Sequence, residues 1–152
     1  MNILIIYPKN TNGSFGLKYL MKLLEPFDGF PPPILLKISS MLPNVWNKRM
    51  IDMNGSELKD EDIIWSDFVF IRAELTQAKS ADKIIYICKM LNAKTVGFGS
   101  LFTSNDEYYK EVDHMISDEA EIALPQFLRD LSEGKTKQKY TSNSSSNFTP
   151  AY

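Results

Sequence analysis

The segment Ile3-Leu4-Ile5-Ile6-Tyr7 constrains the fold more than any other feature of the chain. It is apolar at every position, rich in β-branched side chains, and shows no alternation with polar residues. Successive side chains of a strand point to opposite faces of its sheet, so an unbroken apolar run needs cover on both faces. That is the situation of a central strand in a parallel sheet with helices on each side. Phe68-Val69-Phe70-Ile71, within Asp67–Ala73, repeats the pattern, and Lys94–Phe98 is a further strand candidate. Arg49–Met53 and Val112–Ile116 are shorter strand candidates.

Helical spacing fills the gaps between these strands. Phe15 to Glu25 places Leu17, Leu20, Met21 and Leu24 on one face. Ile34 to Leu42 follows Pro31-Pro32-Pro33, where proline suits a first turn, and Pro43 closes it. Asp60-Glu61-Asp62 gives an acidic start to a short helix through Trp65. Ser80 is a candidate N-cap for a helix to about Leu91, with Ala81, Ile84, Ile85, Cys88 and Leu91 as its apolar stripe. The last helix opens near Asp118, carries Ile122, Leu124, Phe127, Leu128 and Leu131, and stops at Gly134. Five strands alternating with helices predict a doubly wound α/β fold. Its three layers enclose a five-stranded parallel sheet of Rossmann-like type, in the flavodoxin-like order 2-1-3-4-5. Residues 1–134 form this domain; residues 135–152 lack apolar periodicity and read as a flexible tail or linker.

The length of 152 residues suits one domain. The three lysines after Glu133 have no acid among them, so the body is more acidic than the chain's net charge of −2, which argues against a nucleic-acid surface. The single cysteine, Cys88, excludes an internal disulfide and a cysteine-ligated metal or iron–sulfur site within the chain. No targeting leader is visible, and no apolar run nears the roughly 18 residues of a membrane helix, so a cytoplasmic protein is expected.

Ligands of open parallel sheets bind beyond the carboxyl ends of the strands, which singles out the loops Pro8–Ser14, Arg72–Lys79, Gly97–Thr103 and Ser117–Glu121. The first offers small and hydroxyl residues and Gly13, with backbone amides that could face a ligand or simply turn the chain. Gly97-Phe98-Gly99-Ser100 allows close backbone approach, or a tight turn. Glu119 and Glu121 suit the positive end of a helix without any catalytic purpose. His114 lies within a strand candidate and Cys88 on a helix's apolar face, so both read as packing residues. No catalytic triad, Walker loop or metal-ligand cluster is present, which describes a small-molecule-binding domain rather than a self-contained enzyme.

Several segments taken in order resemble a known family: Met1–Pro8, Phe30–Leu36 leading to Met41-Leu42-Pro43, Ile51–Asn54, Asp67–Ile71, Gly99–Thr103, Val112–His114, Asp118–Glu121 and Leu124–Leu128. Together they resemble the N-terminal cobalamin (B12)-binding domain of the B12-dependent radical S-adenosylmethionine enzymes, over residues 1 to about 134. The resemblance implies a Rossmann-like domain that holds cobalamin across the strand ends. It also implies a partner barrel, in cis or trans, that carries a [4Fe–4S] cluster on a Cys-x3-Cys-x2-Cys loop and cleaves S-adenosylmethionine, commonly for methyl transfer. Those thiolates are absent here, so no activity is expected of this chain alone.

The implied cofactor-binding residues are Pro8, Lys9, Thr11, Asn12 and Gly13 after strand one, and Glu74 and Leu75 after strand three. Gly97, Phe98, Gly99 and Ser100 follow at strand four, and Asp118, Glu119, Ala120 and Glu121 after strand five. An Asp-x-His-x-x-Gly motif is missing, so no histidine lower ligand is expected, and Phe98 stands where many relatives have glycine. Two alternatives are a flavin carrier using Thr11–Ser14 as a phosphate loop and a ligand-free protein-interaction module. A phosphoacceptor domain is rejected, because Tyr7-Pro8 and Arg72 stand where its acids belong.

Overall fold

In the computed structural model, residues 1–11, 32–117 and 119–142 are described. Six strands form one sheet: β1 (Asn2–Tyr7), β2 (Asn47–Asp52), β3 (Phe68–Arg72), β4 (Lys94–Phe98), β5 (His114–Ile116) and β6 (Lys139–Tyr140). All neighbours pair in parallel, in the order β2-β1-β3-β4-β5-β6. The expected doubly wound α/β architecture is therefore present, with one strand more than the sequence suggested.

The described helices are α1 (Pro33–Met41), α2 (Asp60–Trp65), α3 (Ala78–Met90), α4 (Ser100–Ser104) and α5 (Ala120–Ser132). The helix expected over Phe15–Glu25 lies outside the described residues. The alternation of strand side chains separates two cores. Ile3, Ile5, Phe68, Phe70, Val96, Phe98 and Ile116 pack against α1 and α5 on one face. Leu4, Ile6, Val69, Ile71 and Met115 pack against α2, α3 and α4 on the other. β1 is completely buried from Ile3 to Ile6, which is what its unbroken apolar run requires.

Three expectations change. Ser80 is not an N-cap: a 3-10 turn at Leu75–Gln77 runs into α3 at Ala78, and Ser80 sits inside the first turn. Its hydroxyl instead accepts the backbone N–H of Lys9 at 3.0 Å. α4, unexpected from the sequence, follows directly from Gly99, and its Leu101 and Phe102 fill the second core. Within the segment expected to be a flexible tail, residues 139–140 join the sheet as β6. The chain turns at Gly134, whose φ of +68° is the left-handed helix stop expected there. Gln138 and Tyr140 carbonyls then accept the Met115 and Ser117 amides. Tyr140 anchors the strand, with its ring 5.5 Å from that of Phe127 and its hydroxyl accepting from Lys137 N and donating to Asp130.

Candidate functional site

Parallel strands deliver all of their carboxyl ends to one edge, and the loops named above meet there. The connection after β1 is bound to the start of α3. The Pro8 carbonyl accepts the Gln77 side-chain amide at 2.6 Å, and Gln77 is completely buried. The amide of Lys9 is taken by Ser80, that of Asn10 by the Asn54 side chain, and the Thr11 hydroxyl donates to the Thr76 carbonyl. Two amides that the sequence offered to a ligand are thus satisfied within the protein. Asn12, Gly13 and Asp118 lie outside the described residues.

The end of β4 explains its own glycines. A Cβ on Gly97 would stand 2.7 Å from the Phe102 ring. Gly99 has φ +106°, and a Cβ there would lie 1.9 Å from Arg72 Nη1 and 2.4 Å from the Ala73 carbonyl oxygen. The close approach read from the sequence is made by α4 and by the end of β3. Phe98 turns into the first core, edge-on to Phe70 at 6.3 Å, and is only 3% exposed. It forms the floor of the edge rather than a lid over it.

Arg72, Glu74 and Ser100 form a polar chain across β3 and β4. Arg72 Nη2 lies 2.6 Å from Glu74 Oε1, and the Ser100 hydroxyl donates to the other Glu74 oxygen. Leu75, next to them, is exposed. Beside this chain a cleft of about 120 Å3 opens between the starts of α1 and α5. Ile34, Ile38, Phe98 and Ala120 give it apolar walls; Arg72, Lys37, Ser117 and Glu121 give it polar ones. Lys37 of α1 and Glu121 of α5 pair at its mouth, and this contact holds the Glu121 carboxyl below its ordinary range. Glu119, at the N-cap of α5, is exposed.

The structure therefore brings Phe98, Gly99, Ala120 and Glu121 together at the cleft, with Glu74 and Ser100 beside it, and ties Pro8, Lys9 and Thr11 into a separate network around Gln77. Sequence reasoning began two of its loops at Arg72 and Ser117 without choosing either as a site residue, and did not name Lys37. Arg72 was the readable one: it is a cation ending a strand that is otherwise apolar and buried.

His114 and Cys88 take no part. His114 begins β5, at the opposite end of the strand from the cleft. Its Nδ1 is 2.7 Å from the Lys137 carbonyl and its ring packs 5.1 Å from that of Phe127. Cys88 is buried, and desolvation pushes its thiol up to about 12, far from a nucleophile's range. Among the described residues no group of three His, Cys, Asp or Glu side chains could hold a metal ion, and no helix is long and apolar enough to cross a membrane.

Two proteins are similar to this chain. One, from Synechocystis, is described as an uncharacterized methyltransferase and is 27% identical over 139 residues; the other, a hopanoid C-2 methylase of Rhodopseudomonas palustris, is 25% identical over 138. Each match covers 90% of this chain and 26% of the relative, so the chain spans about a quarter of the length of the curated relatives it matches. No family model and no solved structure matches the chain.

Proposed function

We propose that this chain is a cobalamin-binding domain of a radical S-adenosylmethionine methyltransferase, which holds its cofactor across the carboxyl edge of the sheet. The observation that carries this reading is the pairing of a doubly wound parallel sheet, with a cleft at its carboxyl edge, with similarity to two methyltransferases over most of the chain. The barrel, its [4Fe–4S] cluster and S-adenosylmethionine belong to the rest of such an enzyme.

The described residues fit a cofactor of this kind under two conditions. The cleft, at about 120 Å3, is well below the roughly 300 Å3 or more of a drug-sized ligand site. Leu75 and Ser100 at the edge, rather than the interior of the cleft, would hold the bulk of such a cofactor. The lone histidine begins β5, away from this edge, so the chain offers no imidazole there. Bound cobalamin would supply the methyl-carrying chemistry. The protein's part is to position it: Arg72, Glu74 and Ser100 set the shape of the edge, and Phe98 supports it from beneath.

The test is to mix the purified chain with hydroxocobalamin and follow both the corrin visible spectrum and co-elution on gel filtration. Retention with a perturbed spectrum is expected; an unchanged spectrum with no retention overturns the reading. One observation favours a second reading, a ligand-free interaction module: the Lys9 and Asn10 amides are taken within the protein, and the Glu74 carboxylate is held by Arg72 and Ser100. Failure to retain cobalamin or flavin mononucleotide, with the fold intact, would select it.

A further inference from the structure

We propose that the cleft between α1 and α5 is an oxyanion subsite, with Arg72 as its principal ligand and the Ser117 hydroxyl as a second donor. The cleft is lined by two cations, Arg72 and Lys37, and by Ala120, the first residue of the 13-residue helix α5. The Arg72 side chain is only 16% exposed. A guanidinium has five N–H donors in a planar fork. Among the described residues its acceptors are the Glu74 carboxylate at 2.6 Å and, at a weak 3.5 Å, the Ala73 carbonyl. Its remaining N–H groups have no acceptor among the described residues.

Ser117 supplies an independent observation. Its hydroxyl oxygen is buried and has no hydrogen-bond partner, and no other side-chain oxygen or nitrogen among the described residues is in that position. Its residue lines the same cleft. Apolar walls from Ile34, Ile38 and Phe98 lower the local dielectric and strengthen any charge-assisted hydrogen bond made there. The volume suits a single tetrahedral group, and Arg's fork matches a phosphate in two-point contact.

The two carboxylates present do not cancel this site. Glu121 is engaged at the mouth with Lys37, and Glu74 is the group that currently shares Arg72 with the cleft. Glu74 is thus the internal competitor that an entering phosphate displaces from Arg72, while Ser100 continues to hold the displaced carboxylate. The ligand class is a phosphate monoester, a phosphodiester or free phosphate. The subsite is compatible with the cobalamin reading, whose cofactor carries a phosphodiester, but does not depend on it.

The experiment uses flavin mononucleotide against riboflavin, which differ in the phosphate alone, and cobalamin against cobinamide, which lacks the phosphate together with the ribose and base, with inorganic phosphate as the minimal probe. Phosphate is expected to shift the Arg72 Nε and the Gly99 and Ala120 amide resonances in a saturable way. Arg72→Ala should abolish that response and weaken the phosphate-bearing member of whichever pair binds by about 10- to 100-fold more than its partner. Glu74→Gln, which keeps the shape and removes the competitor, should tighten phosphate. Ser117→Ala should raise the melting temperature of the free protein, by removing an unsatisfied hydroxyl, and reduce the rise that phosphate produces.

Unmoved resonances in the wild-type protein, or an Arg72→Ala effect equal for both members of a pair, would overturn the proposal. If phosphate titrates these residues while neither corrinoid is retained, the cobalamin reading fails and the subsite stands. If both corrinoids bind and neither responds to Arg72→Ala, the subsite fails alone.

Discussion

Gly97 and Gly99 stand at the end of β4 for different physical reasons, and each makes a separate prediction. Gly97→Ala drives a methyl group into the Phe102 ring, 2.7 Å away. Overpacking of this kind should cost about 1–3 kcal/mol in urea unfolding. Most of that cost should disappear in a Phe102→Leu background, which a double-mutant cycle would show. Gly99→Ala combines φ +106° with a clash against the Ala73 carbonyl, a backbone atom that cannot move aside. It should cost about 2 kcal/mol or more and release Arg72 from its place, with no rescue from Phe102→Leu. The glycines were readable as sites of close approach, but not what approached them. Arg72 reaches Gly99 from another strand, across a pairing of Arg72 with Phe98 that the sequence does not state. Ser117 was invisible for a related reason: a serine after a strand looks like turn chemistry until its neighbours leave its hydroxyl without a partner.

Among the elements, α2 and β4 have the bounds that the sequence predicted, Asp60–Trp65 and Lys94–Phe98, because each carries a local signal: three acids at a helix start, and the β-branched pair Thr95-Val96 running into glycine-rich chain. α4 and β6 carry none. α4 is five residues long, too short for periodicity, and is held by Leu101 and Phe102 in a core built from distant strands. β6 hides in a lysine-rich segment that reads as solvated, and of its two residues Tyr140 is the one buried in the core.

Tyr140→Ala should therefore destabilise the protein by about 3–5 kcal/mol, as for other large buried aromatics. Tyr140→Phe should cost about 1 kcal/mol for the lost hydroxyl bonds. The lysine beside it acts through charge. Lys139 donates to Asp106 at 2.7 Å, and that hydrogen bond holds the Asp106 carboxyl below its ordinary range and the Lys139 ammonium above its own. A depressed carboxyl contributes stability above its unfolded pKa and loses it as pH falls through the folded value. A raised ammonium contributes below its unfolded pKa and loses it as pH rises through the folded one. Protection of the Met115 and Ser117 amides, which bond to the β6 segment, should be greatest between those limits and fall below the usual carboxylate range. Lys139→Ala should remove that acid-side dependence, as amide hydrogen exchange would show.

For the whole molecule, the parallel sheet was legible because its central strands are apolar on both faces, and two-sided cover leaves few architectures open. The site was legible only as a location, the carboxyl edge, since its chemistry depends on which side chains from α1, β3 and α5 converge. His114 belongs to the other end of β5, so His114→Ala should leave any corrin spectrum of the loaded protein unchanged while weakening the packing around Phe127. A spectral change on that substitution would instead assign this histidine a part in holding the cofactor. β6 bears on the same edge in another way. Because it runs parallel to β5, the chain leaving Tyr140 emerges beside Ser117, which lines the cleft. A protein segment joined there by a short linker would meet the cleft at an effective concentration on the order of millimolar. Weak contacts between such a segment and a ligand on this edge would then suffice, and a two-residue strand would set the geometry of their encounter.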